Sequence, residues 1–283
     1  MKPATLTTLP WRLGALAAVF TSAIALAQPA GKPKPAAPSR YAGYVHRWHA
    51  PGEAPVLVDE AGRPELVLVS LNTGDHVELR AGSDHGGFAA SDLDRAASVL
   101  RDSSSGNVYP VLPRLLDLAY DIETHFQTRE LRVISGYRTP KKSGGSNHGK
   151  GRAMDLVVPG ATDADVAAYA RTLGFVGVGI YPTSGFVHVD VRDRSYFWSD
   201  ASGPGRRNRE RGILGDLAAS SDKSAIARGE RPPAPFALGF DVDAALRARG
   251  ALTGRGLPSS VPGGLGGMAP DDEEDDDDAP GAP

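Results

Sequence analysis

Ser146-Asn-His148-Gly-Lys-Gly151-Arg-Ala153-Met-Asp155 runs from a Gly- and Ser-rich stretch straight into an apolar one, with a histidine before the boundary and an aspartate after it. The segment Ser143 to Gly151 reads as loop, and Ala153-Met-Asp-Leu-Val-Val158 reads as a strand. An aspartate inside an apolar strand needs a partner, because burying a lone carboxylate is costly. Its neighbours on the same strand face, Ala153 and Val157, offer none, so a metal ion is the natural source of the missing charge. A second strand, Gly185 to Val191, contains Gly-Phe-Val-His188-Val-Asp190. Alternation sends Phe186, His188 and Asp190 to one face and Val187, Val189 and Val191 to the other. A single buried histidine is more often a core residue than a ligand. His148, Asp155 and His188 together reverse that expectation, since two imidazoles and a carboxylate are the three-ligand set with which catalytic zinc sites keep a position open for water. These three are the expected metal ligands.

The flanking chain supplies a scaffold. Glu65 to Leu71 and His76 to Leu79 flank Asn72-Thr-Gly-Asp75 as a hairpin. Ser91-Asp-Leu-Asp94 reads as a capping box opening a helix over Asp92 to Arg101, and a second apolar stripe marks a helix over Leu112 to Phe126. Leu131 to Ser135 reads as a strand that ends at Gly136-Tyr-Arg-Thr-Pro140, so Tyr137 and Arg138 lie at a strand end. Thr162 caps a third helix that stops near Gly174, and Val176 to Ile180 pairs with Gly185 to Val191 across Tyr181-Pro-Thr-Ser184. Helices and strands are segregated, which makes the fold class α+β. His46, His49, His76 and His85 lack ligand spacing and read as surface residues.

Ser-x-His-x-x-Gly-x-Ala-x-Asp, with Ser135-Gly-Tyr-Arg138 before it and Phe-Val-His-Val-Asp after it, resembles the zinc D-Ala-D-Ala carboxypeptidase and L-alanyl-D-glutamate peptidase group, and within it the murein endopeptidase K type. The resemblance runs from about Leu66 through Leu71-Asn-Thr-Gly-Asp and Arg101-Asp to about Trp198. It implies a hedgehog/DD-peptidase-like fold, with a small antiparallel sheet and helices packed on it. It also implies zinc as cofactor, His148, Asp155 and His188 as its ligands, and Arg138 as the holder of a substrate carboxylate or carbonyl. Many members carry a Glu or His shortly before the last zinc histidine as general base, whereas Tyr181-Pro-Thr-Ser-Gly-Phe-Val187 contains neither. Asp190 then becomes the candidate base, with orientation of a ligand imidazole as its alternative role. Tyr137, Tyr181 and Ser146 are candidate substrate contacts.

Across the 283 residues there is no cysteine, so neither disulfides nor thiolate ligands are available. Lys2, Arg12, the apolar stretch Leu13 to Leu26 and Ala25-Leu-Ala27 before Gln28-Pro have the form of a secretory signal peptide, which predicts a periplasmic protein without stable membrane insertion. Residues 28–40 read as a Pro/Ala/Lys-rich linker, 41–200 as the peptidase domain, and 201–283 as a disordered tail dispensable for folding. Within that tail only Ser220 to Arg228 and Val242 to Arg249 suggest short helices. The net charge of −3 includes eight acidic residues at Asp271 to Asp278, which leaves the body mildly basic. That is too little charge to argue nucleic-acid binding. The expectation is a monomeric, exported zinc peptidase acting on peptidoglycan peptides. The alternative is a non-catalytic, zinc-stabilised cell-wall-binding module.

Overall fold

The structure, a computed structural model, describes residues 39–140, 146–206 and 212–233. The expected signal peptide, most of the linker, Lys141 and Lys142 (basic residues that would suit an acidic substrate), Val242 to Arg249 and the acidic run lie outside the described residues. The chain begins with α1 (Ser39–His49), then β1 (Glu65–Ser70), β2 (His76–Arg80), α2 (Ala90–Val99) and α3 (Pro113–Phe126). Next come β3 (Leu131–Ser135), a 3₁₀ turn (Asn147–Lys150), β4 (Ala153–Val157), α4 (Asp163–Ala170), β5 (Val176–Tyr181), β6 (Phe186–Val191), β7 (Tyr196–Ser199), β8 (Gly212–Ile213) and α5 (Gly215–Ala227).

One eight-stranded sheet, in the order β2-β1-β3-β4-β6-β5-β7-β8, organises the domain. The class is α+β, but the sheet is neither small nor purely antiparallel. β1 and β3 run parallel, as do β5 and β7, while the other neighbours are antiparallel. Both departures follow from connectivity. The β1–β3 link passes through β2, α2 and α3, long enough for a crossover, the β5–β7 link passes through β6, and β8 adds an edge strand beyond the expected end of the domain.

Strand alternation divides the core in two. Met154, Leu156, Val187, Val189 and Val191 point to the face covered by α2, α3 and α4, where Leu115, Leu116, Ile122, Val166 and Ala167 join them. Val157, Tyr181, Phe186 and Trp198 point to the other face, where Trp48 of α1 packs. Helix α1 was not expected from the sequence. Its segment carries a helical stripe, Tyr41, Tyr44, Val45 and Trp48, that packs on the sheet, and its end is held by a tertiary contact. Arg132 Nη1 donates to the carbonyls of Arg47, Trp48 and Ala50 at 2.8–3.0 Å, satisfying the exposed end of the helix. The helix also absorbs the end of the expected linker at Ser39 and Arg40. His46, His76 and His85 are exposed as expected, but His49 is half-buried, its ring nitrogens facing the carbonyls of Ala161 and Gly185.

Two further expectations need correction. Ser91 does not cap α2: the helix starts at Ala90 behind Ala89, with no side-chain capping bond. Thr162 does cap α4, accepting from the amide of Asp165. The region after residue 201 is not wholly a loose tail, because α5 docks on the helix face. Asp222 accepts from the amides of Phe175 and Ser195 at 2.8 and 2.9 Å, Ser221 Oγ donates to the carbonyl of Arg171, and Ala218 and Ala225 are buried. Small residues in a helix raise little hydrophobic periodicity, so the sequence pattern understated this contact. Phe236, Leu238 and Phe240, the compact apolar cluster of the tail's sequence, lie outside the described residues.

Candidate metal centre

Three central strands and one turn bring the ligand-type residues together. β4 and β6 pair with Asp155 directly opposite His188, so the two side chains project from the same face of the sheet. β3 pairs with β4 through a β-bulge between Val133 and Ser135, which brings Ser135 opposite Asp155. His148 arrives from the 3₁₀ turn, which closes at Gly151 with φ +64°. A side chain at Gly151 would be strained by that angle and would run into the carbonyl of Pro110, so glycine is needed where the loop enters β4.

The three side chains are buried, and their donor atoms lie within 4.8 Å of one another. His148 Nε2 is 3.1 Å from His188 Nδ1 and 3.4 Å from Asp155 Oδ1, and His188 Nδ1 is 2.8 Å from the same oxygen. Donors about 2.1 Å from one tetrahedral ion lie about 3.4 Å apart, so the spacing fits a single zinc ion. Each donor atom is also the free end of an oriented group. His148 Nδ1 donates to the carbonyl of Gly136 at 2.6 Å, which leaves Nε2 for the centre. His188 Nε2 faces Asp190 Oδ2 at 2.9 Å, which leaves Nδ1. Asp155 Oδ2 is paired with Arg138 Nη2, which leaves Oδ1. Outer partners of this kind fix ligand orientation in metal sites.

Electrostatics favour an ionised Asp155. Burial pushes its carboxyl up, but His148 and Arg138 beside it hold it well below the ordinary carboxylate range. The sequence had offered only a metal as its partner; Arg138 also supplies positive charge, reached from the loop after β3. Arg138 Nε in turn donates to Ser135 Oγ at 2.8 Å, so the bulge helps to aim the guanidinium. Its side chain remains 24% exposed and lines a polar cleft with Ser70, Asp102, Ser103 and Tyr137.

The remaining expected site residues separate. Asp190 is fully buried behind His188, on the ring nitrogen turned away from the donor cluster, and both its oxygens accept from Arg192. Burial raises its carboxyl, yet Arg192 and His188 hold it far below the usual range, which is unsuited to accepting a proton. This geometry suits the alternative role of orienting the ligand imidazole better than that of general base. Tyr181 is buried, stacks on Phe186 and accepts from the indole of Trp198, which is a packing role. Tyr137 is half-buried beside Arg138 and stacks nearly parallel on Tyr109, with ring centroids 4.9 Å apart. Ser146 is half-exposed where the 3₁₀ turn begins.

Sequence reasoning missed four contributors. Trp198 packs on the His188 ring at 5.1 Å, and Arg192 braces Asp190. Gly177 and Gly179 lie opposite Asp190 and His188 on β5. The signal for the glycines was visible, because Val176-Gly-Val-Gly-Ile180 puts glycine at alternate positions of a strand, where it marks a close approach.

A buried pair of imidazoles and one carboxylate, each oriented from behind and opening beside a polar cleft, defines a mononuclear metal centre of the metallohydrolase kind. A family profile described as peptidoglycan L,D-endopeptidase MepK matches residues 59–195. A probable peptidoglycan L,D-endopeptidase MepK of Haemophilus influenzae is 33% identical over 139 residues, covering 44% of this chain and 74% of that protein. The peptidoglycan L,D-endopeptidase MepK of Escherichia coli K12 is 31% identical over 138 residues, covering 44% of this chain and 75% of that protein. The chain therefore belongs to the MepK family of peptidoglycan L,D-endopeptidases. No solved structure matches it.

Proposed function

We propose that this protein is an exported zinc peptidase that cleaves L,D-linked peptides of peptidoglycan. The observation that carries the reading is the convergence of His148 Nε2, His188 Nδ1 and Asp155 Oδ1 in one buried cluster. These residues would hold zinc, which when bound polarises a scissile carbonyl and makes water nucleophilic near neutral pH. Arg138 stands where the cluster meets the cleft, and its exposed edge would hold a substrate carbonyl or carboxylate while its other edge stays on Asp155. Tyr137, stacked on Tyr109, would form the adjoining wall, with Ser146 across the entry. The described architecture is compatible with a hedgehog/DD-peptidase-like arrangement, in which the peptidase domain extends from α1 through α5. Residues 1–27 would act as the signal that delivers the chain to the periplasm, where it would work as a monomer. Among the described residues no helix is long and apolar enough to cross a membrane.

A second reading has one observation in its favour. With Asp190 placed behind His188, no other carboxylate or imidazole joins the donor cluster among the described residues, and a zinc-stabilised module that binds the wall without cutting it would need none. Digestion of purified peptidoglycan by the zinc-loaded protein, resolved by mass spectrometry, separates the two. New peptide termini at an L,D bond, absent with His148→Ala, are expected. Binding to the wall without any new terminus would replace the peptidase reading with the second.

A further inference from the structure

We infer that Gly177, Asp190 and Arg192 form one positioning unit that dictates which nitrogen of His188 is presented to the metal. The inference rests on the reading of the His148–Asp155–His188 cluster as a zinc site. Register places Gly177 opposite Asp190 and Gly179 opposite His188. A Cβ at Gly177 would collide with the Asp190 carboxylate, and one at Gly179 would collide with the Trp198 indole. The two glycines therefore leave a trough along β5 that is filled by the groups behind His188.

Within this trough Asp190 is fully buried and Arg192 grips it with two bonds, Nε to Oδ1 at 2.7 Å and Nη2 to Oδ2 at 2.9 Å. Arg192 is itself pinned, its guanidinium lying over the rings of Tyr196 and Trp198 and its amide donating to the carbonyl of Phe175. With Nε2 held on Asp190 Oδ2 at 2.9 Å, the ring turns Nδ1 toward Asp155 and His148, where a metal would take its lone pair. Trp198, packed on the imidazole, opposes the ring flip that would exchange the two nitrogens. Gly177 thus acts on the metal through two other residues and touches neither it nor its ligands.

The test measures zinc affinity by chelator competition in the full mature chain, together with the ring nitrogen of His188 that keeps its proton, read by nitrogen NMR in the zinc-loaded state. The wild type should show a single Nε2–H tautomer. Gly177→Ala, Asp190→Leu and Arg192→Gln should each weaken zinc binding on the order of 10- to 100-fold. Gly177→Ala combined with Arg192→Gln should be no worse than the weaker single variant, because both act through Asp190. Asp190→Leu should also show a mixed tautomer. Arg192 is the least buried member of the unit, its side chain 16% exposed, so Arg192→Gln and its double variant keep the test decisive where Asp190→Leu does not fold. Variants that bind zinc as the wild type does, with one unchanged tautomer, would overturn the inference and leave the zinc site standing. A wild type that binds no zinc would instead overturn the proposed function.

Discussion

The two faces of the central sheet bury carboxyl groups equally deeply and treat them in opposite ways. On the helix face, Glu123 of α3 is 1% exposed and accepts only from the amide of Val67, with both oxygens at 3.1 and 3.2 Å. Burial pushes its carboxyl up to about 9, and the Val67 amide and the charge of Arg129 offset this only in part. On the opposite face Asp155 and Asp190 are just as buried, but Arg138 grips the first and Arg192 the second, and both stay ionised. Depth is the same, so the difference lies in the cation in contact. A carboxyl without one becomes neutral and structural, whereas one with it stays anionic and can serve a metal.

The most severe way to break this comparison is to make the site face resemble its apolar opposite. Asp155→Leu should abolish zinc binding and reduce peptidoglycan cleavage to background, because the central donor is gone. Its zinc-free form should also unfold at a lower denaturant midpoint than the wild type, since removing one partner of a buried ion pair leaves the Arg138 guanidinium uncompensated. Metal analysis and urea unfolding check both halves. Next in size is Arg138→Met, which leaves the carboxylate and removes its cation. Cleavage should fall about 100-fold, as when a positioned electrostatic group is lost, and the zinc-free protein should lose about 3 kcal/mol at neutral pH. Asp155 would then move toward the behaviour of Glu123. The stability that its lowered pKa contributes is present above the unfolded value and lost on acidification, and in Arg138→Met this acid-side loss should shrink.

A third, smaller effect concerns α5 on the helix face. Truncation after Arg206 should lower stability by roughly 2–4 kcal/mol, counting about 1 kcal/mol for each hydrogen bond made by Asp222 and Ser221 together with the burial of Ala218 and Ala225. Zinc content should not change. A truncated protein with the wild-type midpoint would restore the sequence expectation that everything beyond residue 201 is dispensable.

Legibility in the sequence followed the same division. His148, Asp155 and His188 could be read because alternation in β4 and β6 is strict and a polar residue inside an apolar strand announces its need for a partner. The helix face was legible through the stripe of α3 and the cap of α4. Contacts decided by shape were not legible. The end of helix α1 is held by Arg132, which captures three carbonyls from 82 to 85 residues away. Helix α5 docks through alanines and serines, which carry no hydrophobic pattern. Asp190 could be placed on the face of His188 by periodicity, but only the geometry shows that it meets the outer ring nitrogen and that Arg192 holds it there.

The mildest perturbation sharpens the comparison from the helix side. Glu123→Gln keeps the shape of a group that is already neutral at pH 7, and the amide oxygen can still accept from Val67. The folded-state pKa of Glu123 lies near 9, above its ordinary value of 4.5, so between those limits the folded protein holds one proton more than the unfolded chain. Stability from this group is therefore full below about pH 4.5 and is lost as pH rises toward 9, by up to about 1.4 kcal/mol per unit. Glutamine removes that dependence. Wild type and variant should have similar urea midpoints at pH 5, and the variant should gain steadily relative to the wild type at pH 7 and pH 9. A difference that stays constant across this range would mean that Glu123 titrates alike folded and unfolded, and burial without a cation would then not be what separates the two faces.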